Sequence, residues 1–211
     1  MLGVFIIFIH MRNYIRLETI YPEKLLFGDY TLVHDIKPND LTPEIMDFYG
    51  LNLPNDYEFP SVSLYKLTER LCVMDSGILV EQLNHFFLEN ATGKILTFGL
   101  GIGFIIFPLL EDDSVTSITI VEKNVDIFNT ISPFIKQYDT HNKVNIVMGD
   151  AFTYHENIVN ETFDFIYFDI WSRVNPIIVE EFNQLKPLYQ NNSNVIRYCF
   201  QDLVDGGVLF K

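Results

Sequence analysis

The chain has 211 residues, of which 48% are hydrophobic and 15% aromatic, enough apolar material for one well-filled domain with a modest extension. This composition argues against a disordered or fibrous protein. Lysine and arginine number 14 against 28 aspartates and glutamates, and the formal charge is -14. No local basic patch offsets this charge, so we do not expect nucleic acid as a partner.

The first residues, MLGVFIIFIHMRN, are the one stretch that suggests a membrane. Their apolar run ends at His10, short of the roughly 20 residues that a spanning helix needs. It also lacks the basic region and the small-residue cleavage site of a secretory signal. We interpret it as a buried strand or a translated upstream extension, with a signal anchor as the less favoured alternative, and expect no attachment to a membrane.

Cysteine and histidine give no sign of a metal site. Cys72 and Cys199 lie among apolar or aromatic neighbours without metal-ligand spacing, which is typical of reduced core thiols in a cytoplasmic protein. The five histidines are scattered, with no pair at i, i+4 and no acidic cluster around them. We therefore expect a cytoplasmic protein without a bound metal.

The N-terminal third is predicted to form β-structure. Stretches such as KLLFGDYTLVHDI and SLYKLTERLCVM alternate apolar and polar residues around turn-forming Gly and Asp. They predict a small β-rich extension over residues 1–75. From Ser76, a predicted cap, apolar residues at helical spacing indicate a helix to about Asn90.

Residues 76–211 are predicted to form a second domain in which strands alternate with helices. The predicted strands are KILTFGL, VTSITIVE, KVNIVMGD, FDFIYFDIW and DGGVLFK, and a long helical stretch begins at about Pro176. Continuous apolar strands separated by helices indicate a parallel sheet covered on both faces. We predict an α/β fold with a Rossmann-like doubly wound sheet, whose ligand binds at the carboxyl ends of the strands.

Three glycines follow the first of these strands. At Gly99, Gly101 and Gly103 the absence of a side chain lets the chain turn tightly and lets backbone approach a ligand. The nicotinamide fingerprint needs its third glycine one place later, where this chain has Phe104. A pyrophosphate cradle is therefore disfavoured.

Acids end the next three strands. Glu122, at the end of the second strand, can accept both ribose hydroxyls of an adenosine-type ligand. Asp150 ends the third strand, where an acid can accept from an exocyclic amine, and Asp169 ends the fourth. A solvated surface acid explains any one of these positions, but four successive strand ends with a glycine turn or an acid indicate a binding site.

The motifs LTFGLGIG, ITIVEK, MGDAF and FDFIYFDIW resemble, in order and spacing, the four successive cofactor motifs of class I S-adenosylmethionine-dependent methyltransferases. The segment LCVMDSGILVEQLNHFF resembles the hairpin and helix of the spermidine synthase-like branch, which also has an N-terminal β element. The resemblance spans roughly residues 70–211. It implies S-adenosylmethionine as the cofactor.

The same resemblance implies roles for the strand ends. The three glycines of the loop would surround the methionine moiety, Glu122 would bind the ribose, and Asp150 and Ala151 would lie near the adenine. Asp169 would face the reaction centre. Methyl transfer from a sulfonium is a direct displacement, so the protein mainly aligns donor and acceptor, and Asp169 is the candidate base for a protonated nucleophile.

Four further side chains are candidates for the acceptor side. Trp171 and Tyr167 are candidate pocket walls. For Trp171, ordinary packing in the core explains the residue equally well, and for Tyr167 it is the favoured explanation. The hairpin resemblance offers Asp75 and Gln82 as binders of a cationic acceptor. A turn cap and a solvent-facing helix residue explain these two equally well.

Departures from the family pattern keep alternatives open. The polyamine synthases carry an acid inside the glycine loop, where this chain has Ile102, and an Asp-Ser-rich segment where this chain reads DIWSR. We therefore favour a methyltransferase acting on a small-molecule acceptor. An aminopropyltransferase that uses decarboxylated S-adenosylmethionine is one alternative, and a non-catalytic binding module with the same fold is another.

The end of the predicted sheet has a consequence for assembly. The sequence ends at the predicted strand five, before the hairpin of strands six and seven that usually completes this methyltransferase fold, so it is either a minimal variant or has lost its C-terminus. We therefore expect strand five to be an exposed edge. A homodimer formed across that edge is the expected assembly.

Overall fold

The computed structural model of the chain describes residues 16–38, 42–48, 50 and 58–209. The stretch over residues 1–13, interpreted above as a strand or an extension, lies outside these residues. The described chain contains two sheets, one antiparallel with four strands and one parallel with five.

The antiparallel sheet is built by the N-terminal residues. Its strands, in the spatial order β1-β2-β3-β4, are β1 (Lys24–Phe27), β2 (Tyr30–Pro38), β3 (Glu58–Lys66) and β4 (Leu71–Asp75). Helix α1 (Pro43–Phe48) lies between β2 and β3 in the chain. Each neighbouring pair is antiparallel, and the two segments predicted to alternate form the β1-β2 and β3-β4 hairpins. The β-rich character predicted for this part of the chain is therefore confirmed.

Two short helices, and not the single predicted one, connect the sheets. They are α2 (Ile78–Leu83) and α3 (His85–Asn90), with a turn at Asn84. The side chain of Asn84 is hydrogen-bonded at both ends: its Nδ2 donates to the carbonyl of Val80 and its Oδ1 accepts from the hydroxyl of Tyr167, each at 2.8 Å. These bonds hold Asn84 between the two helices, a position that apolar spacing alone does not reveal.

The parallel sheet confirms the predicted Rossmann-like α/β fold. Its strands are β5 (Gly93–Phe98), β6 (Val115–Glu122), β7 (Val144–Met148), β8 (Phe165–Phe168) and β9 (Ile196–Tyr198). They are ordered β7-β6-β5-β8-β9, and every neighbouring pair is parallel. The first strand of this sheet, β5, is central. The chain runs outward through β6 to β7 on one side and then crosses to β8 and β9 on the other, so the strand order reverses between β5 and β8. Ligands of doubly wound sheets bind at this reversal.

Helices connect the parallel strands. They are α4 (Phe107–Leu110), α5 (Val125–Tyr138) and α6 (Ile177–Tyr189). The central strands are buried on both faces: Phe98 of β5 stacks on Phe168 of β8 with ring centroids 4.7 Å apart, and the ring of Tyr189 from α6 packs edge-on against Phe98 at 5.0 Å. This rigid core fixes the strand ends from which the site is built.

The position predicted for the fifth strand is wrong. The segment DGGVLFK was expected to form it, but β9 lies earlier, and helix α7 (Gln201–Asp205) follows it. The two glycines end this helix: Gly206 N–H donates to the carbonyl of Asp202 at 2.9 Å, and Gly207 has a φ of +67°. The strand β9 has only three residues, too few to give a periodic pattern in the sequence. The paired glycines of DGGVLFK instead resemble a turn before a strand, and this pattern led to the wrong prediction.

Within the described part of the chain, no helix combines the length and the apolar character that crossing a membrane requires.

Candidate functional site

A cavity of about 540 Å³ opens at the carboxyl edge of the parallel sheet. The ends of β5, β6, β7 and β8 line one side, and side chains from β3, β4 and the turn between them line the other. The volume lies within the range of small-molecule sites. The two sheets thus meet around one cavity, at the place where the strand order reverses.

The glycine loop passes close to the end of β8. Gly99 has a φ of +94°, and a Cβ atom at this position would lie 2.1 Å from the backbone oxygen of Asp169. Gly101 has a φ of +49°, and its Cβ would lie 2.2 Å from the Sδ of Met74. Both glycines line the cavity, so a ligand can contact bare backbone here.

Gly103, the third predicted cofactor residue of the loop, does not line the cavity. Its φ is +70°, and a Cβ would lie 2.5 Å from the Cδ1 of Ile135 in α5 and 2.9 Å from the ring of Phe107 in α4. Here a missing side chain lets the loop pack against two helices. Alternate spacing identifies all three turns but does not distinguish a cavity-facing glycine from a core-facing one.

Gly99→Ala is expected to destabilise the protein by about 3 kcal/mol. The residue has a positive φ that disfavours alanine, and the new methyl group would meet the backbone of Asp169. Denaturant unfolding measures the change. Gly207→Ala is the matched control: it has a similar positive φ but no atom within 4 Å of the added Cβ, and should cost about 1 kcal/mol. Equal losses in the two variants would show that the contact with β8 is not tight.

Glu122 joins the glycine loop to the loop after β6. The residue is 7% exposed; its Oε2 accepts the N–H of Leu100 at 2.7 Å and its Oε1 accepts the N–H of Asn124 at 2.6 Å. A carboxylate has about four lone-pair sites, so these two bonds leave capacity for two further donors. Because Glu122 lines the cavity, adjacent hydroxyl groups of a ligand can donate to it.

Asp150 and Ala151 form the cavity wall at the end of β7. The Oδ2 of Asp150 pairs with the Nζ of Lys123 at 2.6 Å, and its Oδ1 accepts the N–H of Phe152 at 3.0 Å. The bond to Lys123, followed by that to Phe152, lowers the pKa of Asp150, so the group is an ionised acceptor. The carbonyl of Ala151 accepts the hydroxyl of buried Tyr189, which fixes this turn.

Asp169 directly follows β8 and lies beside the glycine loop in the cavity wall. Its N–H donates to the carbonyl of Phe98 at 2.9 Å, and its side chain is partly buried. Burial raises the pKa of Asp169 from 3.8 to about 6, and a hydrogen bond from the thiol of Cys199 opposes this rise. A carboxylate with a pKa near 6 is mostly ionised at neutral pH but can still take up a proton, as a general base must.

Of the predicted acceptor-side residues, Trp171 lines the cavity and Asp75 and Gln82 do not. Trp171 Nε1 donates to the Oε2 of Glu181, which lines the cavity as well. The Oδ1 of Asp75 accepts the N–H of Gly77 at 2.7 Å, which is the turn role named as its alternative. The substrate-binding role predicted for Asp75 and Gln82 is thus not supported for this cavity.

Tyr167 has the packing role that was favoured for it. Its ring stacks on Phe87 with centroids 4.1 Å apart, and its hydroxyl donates to Asn84. It is 2% exposed and does not line the cavity. Tyr167 lies inside β8, whereas Asp169 follows the strand's last residue, Phe168, at the carboxyl edge of the sheet, which explains why Asp169 lines the cavity and Tyr167 does not.

Several cavity residues were not anticipated. Lys66 and Glu69, which pair at 2.5 Å, and Leu64, Val73 and Met74 all come from the β3-β4 hairpin. Their local pattern predicts a hairpin correctly but carries no information on what the hairpin packs against. The only sign in the sequence that this hairpin could line a polar site is the charged pair Lys66 and Glu69 within YKLTER.

Ionisable groups dominate the polar part of the cavity. Among the described residues, five carboxylates line it, against the two lysines Lys66 and Lys123. Each of these lysines is paired with one of the five, Lys66 with Glu69 and Lys123 with Asp150. The remaining carboxylates therefore favour a cationic ligand. No group of three or more His, Cys, Asp or Glu residues suited to a metal ion is found in the ranges that the structure describes.

Comparison with known proteins gives matches in structure alone. No family model and no curated protein sequence matches the chain. A Staphylococcus aureus protein assigned as a caffeoyl-CoA O-methyltransferase is 19% identical, with 63% of this chain and 62% of that chain covered and a TM-score of 0.41. Spermidine synthase from Thermotoga maritima is 19% identical, with 70% and 48% covered and a TM-score of 0.43.

A third structure, assigned as an O-methyltransferase from Klebsiella pneumoniae, is 15% identical over 62% of this chain and 58% of that chain, with a TM-score of 0.43. The chain spans about half to three fifths of the length of these proteins. With TM-scores below 0.5, these likenesses say nothing about the cavity, whose chemistry rests on the residues of this chain.

Proposed function

We propose that the protein is an S-adenosylmethionine-dependent methyltransferase that acts on a small-molecule acceptor. One observation carries this proposal: the glycine turn after β5 and the acids at or directly after the ends of β6, β7 and β8 all line the same cavity. Parallel strands bring their carboxyl ends to one edge, but they do not require each end to present a bare turn or a carboxylate. This convergence supports a ligand with adjacent hydroxyls, an exocyclic amine and a positive charge.

The donors and acceptors of the cavity fit this cofactor. Glu122 would accept from the ribose hydroxyls with the lone pairs that Leu100 and Asn124 leave free. Asp150, an ionised acceptor, would accept from the adenine amine, with Ala151 beside it. The backbone at Gly99 and Gly101 would pass against the methionine moiety, where a side chain has no room.

The protein's part in the reaction would be alignment, exclusion of water and removal of a proton. The cofactor, when bound, supplies the electrophilic methyl group. Asp169 would accept the proton of an amine or hydroxyl nucleophile, since its pKa near 6 leaves it ionised at neutral pH. Val73, Met74 and Trp171 would shield the nucleophile from water on the acceptor side.

Titration calorimetry with S-adenosylmethionine, S-adenosylhomocysteine, decarboxylated S-adenosylmethionine and NAD tests the proposal. We expect the first two ligands to bind in the micromolar range and NAD to give no heat of binding. NAD is the matched control because it also carries adenosine but adds a pyrophosphate, for which the loop has Phe104 in place of a third glycine. Absence of binding by all four ligands would favour a non-catalytic module.

A spermidine synthase-like aminopropyltransferase is the second candidate. The acidic cavity favours it, since Glu181 adds a carboxylate that is not paired with either lysine of the cavity. The location of Asp75 and Gln82 outside the cavity counts against it, as does Ile102 in the glycine loop. Preference for the decarboxylated donor by tenfold or more in the same titration would favour this reaction over methyl transfer.

Assembly and location stay predictions. In the described part of the chain β9 is an edge strand of the parallel sheet, paired with β8 alone. A homodimer across β9 would cover this edge. Light scattering of the purified protein would give twice the chain mass for this dimer, and the mass of one chain would exclude it. The cytoplasmic location is likewise a prediction.

A further inference from the structure

Both backbone polar groups of Ile102, inside the glycine loop, are bonded to side chains from the N-terminal part of the chain. The hydroxyl of Tyr21 donates to the carbonyl of Ile102 at 2.8 Å. The Sδ of Met74 accepts the N–H of Ile102 at 3.2 Å. Two residues that lie 81 and 28 positions away thus hold one residue of the loop.

These two bonds restrain a loop whose glycines make its backbone conformationally flexible. Glycine populates left- and right-handed conformations about equally, and Gly101 and Gly103 flank Ile102 with φ values of +49° and +70°. A loop of this kind has many accessible conformations unless outside groups select one. Met74 also packs directly against Gly101, where a Cβ would lie 2.2 Å from its sulfur.

Tyr21 is itself firmly held. Its ring lies against Phe134 of α5, with centroids 4.8 Å apart, and edge-on to Phe107 of α4 at 6.4 Å. The Nε2 of His34 in β2 donates to its carbonyl at 3.1 Å, and the residue is 4% exposed. The phenol stays protonated, because burial raises its pKa, and it therefore remains a hydrogen-bond donor.

We propose that Tyr21 and Met74 are positioning residues that hold the glycine loop in the conformation that binds the cofactor. This inference rests on the proposed function, because the loop is taken to contact the cofactor. The N-terminal part of the chain would then do more than form the acceptor wall: it would set the affinity for the cofactor through the backbone of Ile102. The loss of either bond would leave a buried backbone group of the loop without its partner.

The test compares Tyr21→Phe with Tyr167→Phe. Each variant keeps its ring and loses one buried hydroxyl bond of 2.8 Å, but only Tyr21 contacts the glycine loop. Amide hydrogen exchange at Ile102 should become about tenfold faster in Tyr21→Phe, and affinity for S-adenosylhomocysteine about tenfold weaker. In Tyr167→Phe both quantities should stay within about twofold of the wild type, whatever its loss of stability.

Met74→Leu is the second variant and decides the case if Tyr21→Phe fails to fold. It keeps the apolar volume, removes the sulfur acceptor, and should raise exchange at Ile102 in the same way. Unchanged exchange at Ile102, or unchanged affinity in a protein that binds, overturns the proposal. If the wild type binds no adenosine ligand, the proposed function fails, and the exchange rate in the ligand-free protein still decides whether the two side chains hold the loop.

Discussion

Glu122→Ala is expected to weaken the binding of S-adenosylmethionine about 100-fold. The substitution removes the proposed acceptor for two ribose hydroxyls. It also leaves the N–H groups of Leu100 and Asn124 without the carboxylate that joins their loops. A lost charged hydrogen bond costs about 1.5–3 kcal/mol, and 2.7 kcal/mol corresponds to 100-fold in affinity. Titration calorimetry on purified wild type and variant measures the change.

Two controls separate loss of the site from loss of charge. Glu122→Gln keeps the size of the side chain and one acceptor oxygen, but its amide nitrogen faces a backbone N–H, so an intermediate affinity is expected. Glu111→Ala removes an exposed acid beyond α4 and should leave affinity unchanged. Undiminished binding by Glu122→Ala would mean that the ligand does not occupy the end of β6, and the assigned orientation of the cofactor would be wrong.

The central sheet and its functional edge could be predicted from the sequence because both depend on local patterns. An apolar run such as FIYF is buried wherever it lies in a parallel sheet, and the residue after it must come to the carboxyl edge. Glu122, Asp150 and Asp169 therefore meet at the cavity as expected. The parallel topology of the sheet brings these residues together, because the carboxyl ends of neighbouring parallel strands lie at the same edge without any further sequence signal.

The wall opposite the strand ends could not be predicted, because it depends on contacts between distant segments. Met74 and Tyr21 reach Ile102 across 28 and 81 residues, and no period of 2 or 3.6 encodes such a contact. Asp75 was assigned to the site by its place in a familiar hairpin. Its neighbours Val73 and Met74 line the cavity, whereas Asp75, the last residue of β4, accepts the N–H of Gly77 in the following turn.

Asp169→Asn is expected to lower turnover by about 10²- to 10⁴-fold, because asparagine cannot take up a proton from the nucleophile. Affinity for S-adenosylhomocysteine should change less than about threefold, since the proposed contacts to the cofactor come from other strand ends. A radiolabelled methyl-transfer assay, with any acceptor that a screen identifies, measures the turnover. In the wild type this turnover should rise as pH increases through about 6, where Asp169 ionises, and the rise should vanish in the variant. Full activity of the variant would remove Asp169 as the base.

The same substitution should make the protein more stable above pH 6, a result that needs no acceptor. The folded state raises the pKa of Asp169 from 3.8 to about 6, so it favours the protonated acid. The contribution of this group to stability is therefore complete below about pH 4 and is lost as pH rises through 6, a change of about 2–3 kcal/mol.

Asparagine carries no charge and avoids this loss, while its carbonyl can still accept from the thiol of Cys199. Denaturant unfolding at pH 8 should show Asp169→Asn about 2 kcal/mol more stable than the wild type, and the difference should close toward pH 4. A variant less stable at both pH values would show that the charged carboxylate is stabilised in the fold, and Asp169 would then be a structural acid without the raised pKa that a base at this strand end requires.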